Sequence, residues 1–326
     1  MNSTIERLKK KAIDKHGINT ADAKRLYAIG IAKPFLLMAH ANEIREHFKG
    51  KRINLCGIIN AKSGVCPENC RFCAQSAHYH TDAPIYPLVT AGEILEKARA
   101  ARDAGLNYFS IVTSGTRISD DQEWQVIYRA IEGINDLGIR PCASLGLLDE
   151  ETAKGLTRAG LFRYHHNLET ARSFFDNICT THDYEEDVKT LRTAKNVGLS
   201  VCSGGIIGLG ENMMHRIELA MTLKEADADS IPINILNPIP GTPLENVSPL
   251  TPIEVLLTVA LFRFILPARD IRLCGGKEKN LRQLLPLSII AGCNSLMSGN
   301  YLTTLGRDTV HDIEMVRDLG LEPAEG

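Results

Sequence analysis

The feature that most constrains the fold of this chain is a repeated junction. An amphipathic stretch ends on glycine, and a short β-branched or apolar run follows at once. It occurs at Ala104-Gly105 before Leu106–Val112, at Leu137-Gly138 before Ile139–Leu145, at Ala159-Gly160 before Leu161–Leu168, and at Val197-Gly198 before Leu199–Ile207. Glycine just past a helix closes its last turn in a left-handed backbone conformation, so each junction reads as helix, cap and strand. Further runs at Ile53–Ile59, Ser230–Leu236, Ile271–Cys274 and Ser295–Ser298 bring the predicted strands to eight. Strands separated by helices pair in parallel, and eight of them favour a closed (β/α)8 barrel over the alternative, a doubly wound open sheet. The expected fold class is therefore α/β, a TIM-type barrel. Residues 1–50 read as a helical N-terminal extension, 51–305 as the barrel, and 306–326 as a C-terminal helix, Thr309–Leu319, with a tail.

Charge and apolar content exclude several classes of partner. A formal net charge of −2 leaves no electrostatic footprint for nucleic acid or a membrane surface. No stretch has the apolar length of a membrane span, and Met1 to His16 is charged where a secretory signal would be apolar, so the expected location is cytoplasmic. Small molecules are the expected partners. The nine cysteines are an odd number, and in a reducing compartment they read as metal ligands, catalytic groups or small core residues rather than disulfides.

Their spacing carries the chemistry. Cys66-Pro-Glu-Asn-Cys70-Arg-Phe-Cys73 places three thiols within eight residues, just after the first predicted strand. Three such ligands can wrap three corners of a cubane iron–sulfur cluster and leave the fourth iron open. A structural zinc site would call for a fourth Cys or His at finger spacing, and the sequence has none. This CxxxCxxC loop resembles that of the radical S-adenosylmethionine (SAM) superfamily. The resemblance implies a 4Fe–4S cluster on Cys66, Cys70 and Cys73 that binds SAM and cleaves it to a 5′-deoxyadenosyl radical, with Phe72 beside the adenine.

Further stretches resemble the biotin synthase family in particular: Asn60-Ala-Lys-Ser-Gly64, Tyr164-His-His-Asn-Leu168, Cys202-Ser-Gly-Gly-Ile-Ile-Gly-Leu-Gly-Glu211, Ser230-Ile-Pro-Ile-Asn234 with Gly241-Thr-Pro243, and Ile271-Arg272-Leu-Cys-Gly-Gly276. They run in order over roughly residues 30 to 320. The resemblance implies a sulfurtransferase that converts dethiobiotin to biotin, taking sulfur from an auxiliary iron–sulfur cluster. It also implies an electron donor such as flavodoxin or ferredoxin, and a homodimer. It assigns Thr113, Asn167, Glu169, Ile206 and Asn234 to SAM, and His165, Asn167 and Asn234 to the substrate. Three departures accompany it. His165 stands where the family more often has Asn, Glu169 where it has Asp, and Asp187 where it has Arg. For His165, a satisfied polar core histidine is the competing reading.

Side chains along a strand alternate in direction, so each barrel strand sends only a few residues into the lumen. Cys56, Ser110, Cys142, His165 or Asn167, Cys202, Asn234, Arg272 and Ser295 fall on different predicted strands, where a plain scaffold would carry Val, Ile or Leu. The family resemblance implies a 2Fe–2S rhomb on three strand cysteines and one arginine. Cys142, Cys202 and Arg272 match that set, and Ser110 stands in the third cysteine's place. A serine alkoxide is a weak iron ligand. Two thiols lie near the gap: Cys274, two residues past Arg272, and Cys56 on the neighbouring strand. The favoured expectation is a four-iron auxiliary cluster on Cys142, Cys202 and Cys274, with Cys56 as candidate fourth ligand. The alternative keeps a 2Fe–2S cluster with Cys56 or Cys274 in the vacant place. Cys179 and Cys293 read as small buried residues. The competing functions are another radical SAM barrel enzyme, of the hydrogenase-maturase or methylornithine synthase kind, and a non-catalytic iron–sulfur protein.

Overall fold

The computed structural model describes residues 1–324. Ten strands form one sheet: β1 (Arg52–Lys62), β2 (Tyr108–Thr113), β3 (Arg140–Ser144), β4 (Arg163–His165), β5 (Ser200–Cys202), β6 (Gly205–Ile207), β7 (Ser230–Ile235), β8 (Asp270–Leu273), β9 (Ser295–Met297) and β10 (Glu322–Pro323). The order is β1-β2-β3-β4-β5-β7-β8-β9, all parallel, and β9 pairs back onto β1 through Asn54↔Ser295 and Leu55↔Leu296. That last pairing closes the barrel. The short β10 adds to the β1 edge at Arg52 and Ile53.

The barrel helices are α4 (Ala91–Asp103), α5 (Asp121–Asp136), α6 (Glu150–Arg158), α7 (Tyr184–Asn196), α8 (Met213–Glu225) and α9 (Pro252–Ile265), followed by the short α10 (Lys277–Leu281) and α11 (Leu287–Ile290). Their starts follow local chemistry. Thr90 and Asp183 each cap a helix whose third residue is a Glu that bonds back to the cap, and Asp120, Asp149 and Asn212 also accept from the first turn. Gly105, Gly138, Gly160 and Gly198 all have positive φ, as the sequence junctions required.

Before the barrel come α1 (Asn2–Asp14), α2 (Thr20–Ala32) and α3 (Pro34–Lys49); after it comes α12 (Thr309–Asp318). The leading helices explain α9. Every residue from Val255 to Ile265 is buried, because α2 and α3 cover the side of α9 that faces away from the sheet. Asp270, at the start of β8, ties the extension to the barrel floor: Lys49 Nζ lies 2.8 Å and Asn294 Nδ2 2.9 Å from its carboxylate, with Arg163 at 3.7 Å.

The alternation of the strands sorts the sequence into two sets. Leu55, Ile111, Ala143, Tyr164, Val201, Ile231, Ile271, Leu273 and Leu296 are fully buried in the apolar core between sheet and helices. The residues between them point into the lumen. One expectation needs correction, since the predicted strand Leu199–Ile207 is two strands, β5 and β6. Between them the chain presses on its neighbours: a Cβ at Gly204 would lie 1.9 Å from Pro232 O, and one at Gly205 2.3 Å from Glu169 O. Contact this close displaces the regular ladder, yet His166 N still donates to Cys202 O and Leu168 N to Gly204 O, both at 3.0 Å. The barrel stays closed.

Two outcomes are expected. Gly204→Ala should destabilise the chain by on the order of 1–3 kcal/mol, since the methyl meets backbone rather than a movable side chain; an unchanged denaturation midpoint would contradict this packing. Burial raises the Asp270 carboxyl, but Lys49, Arg163 and Asn294 outweigh it and hold it at about 2, below the ordinary value of about 3.9. Its contribution to stability is therefore complete above about pH 4 and is lost as the pH falls towards about 2. Denaturant midpoints of wild type and Asp270→Asn should converge over that range, and a constant gap would rule the linkage out.

Candidate functional site

One cavity of about 290 Å³ occupies the lumen. Its wall is the inward set read along the strands: Cys56, Ser110, Cys142, Arg163, His165, Asn167, Glu169, Cys202, Asn234, Arg272 and Cys274. Four thiols share this space with two guanidinium groups. Ser110 stands opposite Cys142 across the β2/β3 ladder, while Cys56 stands opposite Tyr108 and touches both Tyr108 and Cys142. Cys274 lies one residue past β8, where its amide still bonds Ile233 O at 2.9 Å, so the alternation carries its side chain to the lumen as it does that of Arg272. Ser295 lies behind the wall and accepts from Arg272 Nε at 3.0 Å.

Two residues of this floor escaped the sequence reading. Tyr108 fills the lumen below Cys56 and Cys142, with the guanidinium carbons of Arg163 and Arg272 4.9 and 5.7 Å from its ring centre. Arg163 opens β4 among apolar residues; the signal that could have exposed it is its two-residue spacing from His165 and Asn167.

The electrostatics follow from burial and these cations. Burial and the neighbouring Cys56 push the Cys142 thiol up to about 12, and burial holds Cys274 well above the usual thiol range. Burial also raises Cys202, but His165, whose Nδ1 lies 3.3 Å from its Sγ, and Arg272, at 3.9 Å, bring it down to about 6. Among the described residues, Arg163 Nη1 and Arg272 Nη2 are buried without a hydrogen-bond partner. Two orphaned cationic donors beside four thiols form a pocket suited to an anionic, thiolate-held iron–sulfur cluster.

The other end of the cavity is Glu169, in the left-handed region at φ 58 and raised to about 7 by burial, although His165 and Asn167 oppose the shift. Asn167 Nδ2 lies 3.3 Å from both Glu169 oxygens and its Oδ1 accepts from Gly204 N. Asn234 is similarly engaged, with Oδ1 accepting from Gly275 N at 3.1 Å and Nδ2 donating to Gly205 O at 3.4 Å. Both amides thus hold the strand ends while facing the cavity. Thr113 lies outside the cavity wall, buried with its hydroxyl unpartnered.

The three-cysteine loop follows β1. Cys66 N bonds Gln75 O, Ala77 N bonds Cys66 O and Cys73 N bonds Cys70 O, at 2.8–3.0 Å, folding the loop on itself. Cys70, raised chiefly by Cys179 and burial, and Cys73, pushed up to about 11 chiefly by burial, are both raised further by the Glu169 carboxylate, which stands near the loop at that end of the cavity. Phe72 and Ile206, far apart in sequence, pack in one apolar cluster with Leu209 and Leu236. Three thiols on one short loop suit a cluster with an open iron.

Cys179 is buried, as expected of a small core residue, and it also makes polar contacts that its sequence position does not announce. Its Sγ lies 3.7 Å from Cys70 Sγ and 3.3 Å from His182 Nδ1. Cys70 donates to it and, with His182, holds the Cys179 thiol down at about 3. Asp187 joins His182 Nε2 at 3.3 Å and His166 Nε2 at 2.7 Å. Cys293 is buried in the core, away from the cavity.

Among the described residues no helix is long and apolar enough to cross a membrane. The family model for the Radical SAM superfamily matches residues 61–223, and that for the Biotin and Thiamin Synthesis associated domain matches residues 232–322. Biotin synthase of Geotalea uraniireducens is 52% identical over 325 residues, covering 99% of each chain, and that of Geobacter sulfurreducens is 56% identical over 286 residues, covering 87% of each. Among solved structures, methylornithine synthase superposes with a TM-score of 0.82 at 21% identity, over 98% of this chain and 97% of that one. The FeFe-hydrogenase maturase HydG from Carboxydothermus hydrogenoformans gives 0.81 at 17% identity, over 98% and 79%. These distant structures share the barrel; the sequence relatives, matched over nearly the full length, decide between them, and the chain belongs to the biotin synthase family of radical SAM sulfurtransferases.

Proposed function

We propose that the chain inserts sulfur into dethiobiotin to make biotin inside the lumen cavity. The observation that carries this reading is the continuity of that cavity, from Glu169 beside the three-cysteine loop to the four thiols at the barrel floor. When bound, a 4Fe–4S cluster supplies reductive cleavage of SAM to a hydrogen-abstracting 5′-deoxyadenosyl radical, and an auxiliary cluster supplies the sulfur. Cys66, Cys70 and Cys73 would hold the first. Cys142, Cys202 and Cys274 would hold the second, with Cys56 as fourth ligand and Arg272 beside it.

The chain's own residues would do the positioning. The amides of Asn167 and Asn234 offer donors and acceptors that suit a ureido ring and ribose hydroxyls. Glu169 offers ribose an acceptor, and Phe72 with Ile206 an apolar surface for adenine; Thr113, outside the cavity wall, takes no part in this surface. His165, already against Cys202, would reach substrate from the cluster side. The barrel walls exclude water around these groups, which strengthens each polar contact. The four thiols in the cavity wall, and the two unpartnered cationic donors, favour a four-iron auxiliary cluster over a 2Fe–2S one. The same reading treats residues 1–50 as an extension, 51–305 as the catalytic barrel and 306–326 as its C-terminal helix and tail. It includes a flavodoxin or ferredoxin as electron donor, a homodimer and a cytoplasmic location.

Anaerobic assay of SAM cleavage with and without dethiobiotin tests the reaction: cleavage coupled to dethiobiotin is expected, and Cys70→Ala should abolish it while leaving the barrel folded, since the loop carries little of the core. Robust 5′-deoxyadenosine from that variant would sink the assignment. Iron per reconstituted chain should approach about eight rather than about six. Mössbauer spectra of the Cys66/Cys70/Cys73 triple-alanine variant isolate the auxiliary site. A two-iron signature that survives Cys274→Ala would show Cys274 to be only a core residue.

A further inference from the structure

One group of metal-ligating side chains beside the cluster loop has no part in the proposed chemistry. Glu68, Cys179 and His182 each offer a donor atom, and the three atoms lie within 4.8 Å of one another. Glu68 sits inside the three-cysteine loop, between Cys66 and Cys70. Cys179 and His182 come from the segment after the 3-10 turn Arg172–Asn177, more than a hundred residues on. We propose that Glu68, Cys179 and His182 bind a divalent transition-metal ion, zinc by their donor chemistry, beside the SAM-cluster loop.

Three observations support the site. The first is geometric. His182 Nδ1 lies 2.8 Å from Glu68 Oε2 and 3.3 Å from Cys179 Sγ. Donors bound tetrahedrally to zinc at ~2.0–2.3 Å stand about 3.3–3.8 Å apart, so an ion needs only to part Glu68 slightly from His182. The second is orientation. Asp187, almost wholly buried, holds the far nitrogen of His182 at 3.3 Å and is itself held by His166 at 2.7 Å. A carboxylate behind a histidine fixes the tautomer that turns the other nitrogen's lone pair to a metal. The third is charge. Two carboxylates and a thiol converge on this histidine, and among the described residues neither Glu68 nor Asp187 pairs with a lysine or arginine. A dication balances that set.

A thiolate, an imidazole and a carboxylate together are a borderline donor set that suits zinc, and three protein ligands leave one position for solvent. Cys70 Sγ is 3.7 Å from Cys179 Sγ, so the proposed donors stand beside the cluster thiols and share none of them. Asn69 already stitches the same two segments together through Thr180 and Thr181. An ion here would lock the cluster loop to the segment that leads into α7.

The test uses the anaerobically reconstituted holoenzyme, incubated with zinc and desalted. Zinc and iron are measured by mass spectrometry, and the zinc environment by X-ray absorption. The expected result is about one zinc per chain with a single sulfur neighbour and nitrogen or oxygen otherwise. Cys179→Ser and His182→Gln should each lose that zinc, with circular dichroism confirming their folds. Asp187→Asn should weaken its affinity about tenfold or more, and Cys70→Ser should retain it. Zinc no greater than in Cys179→Ser would overturn the proposal. So would zinc with several sulfur neighbours that disappears in Cys70→Ser, because that metal would be sitting on vacant cluster cysteines.

Discussion

Closure of the parallel sheet by the β9 to β1 pairing governs everything else in this molecule. Once the sheet is a ring, the two-residue alternation of every strand has only two destinations, the apolar layer under the helices or a lumen about one side chain deep. The chain uses the first for Ile, Leu, Val and Ala almost without exception. It uses the second for thiols, amides, arginines and a carboxylate, interleaved with Ile58, Val112, Pro232 and Met297. A polar lumen cannot be stabilised by apolar packing, so its members satisfy one another or wait for a ligand. Asn167 and Asn234 do both, bonding strand ends while facing the cavity.

Charge is graded along that lumen. At the floor Arg163 and Arg272 stand among four buried thiols, each guanidinium with one unpartnered donor. These cations, with His165, bring Cys202 down to about 6 while burial leaves Cys142 up at about 12. At the mouth the sign reverses, with Glu169 next to the cysteine loop. A substrate between them would meet cationic walls on one side and hydrogen-bond acceptors on the other. This polarity suits sulfide transfer at one end and binding of a cationic, hydroxyl-rich nucleoside at the other.

The cysteine loop is not an independent appendage. Glu68 and Asn69 bond Thr181, Thr180 and His182, and Arg71 N bonds Ile178 O, so the loop is fastened along its length to the chain leading into α7. The fastening also sets Cys70 Sγ 3.7 Å from Cys179 Sγ. Loops that carry chemistry need such support, because a ligand displaced by an ångström no longer meets its partner.

Local pattern alone determined the architecture and much of the chemistry. Glycine after each amphipathic stretch, the strand period and the CxxxCxxC spacing are short-range signals, each read within ten residues or so, and they were enough for an eight-stranded barrel with a three-thiol loop and a polar lumen. Cys56, Cys142, Cys202, Arg272 and Cys274 were legible as lumen residues for the same reason, since direction follows parity along a strand. What depended on distance in the chain was decided by the tertiary structure alone. The split at Gly204 lies where the Pro232 carbonyl comes close, and only the pairing of β5 and β6 with β7 brings it within reach. Register, not parity, put Tyr108 opposite Cys56 and left Ser110 facing Cys142. Cys179 reads in sequence as a small buried residue, because the Cys179-x-x-His182 pair alone names no third donor. Folding set it against Cys70, and no periodicity encodes a contact between a loop after the first strand and a segment before the seventh helix.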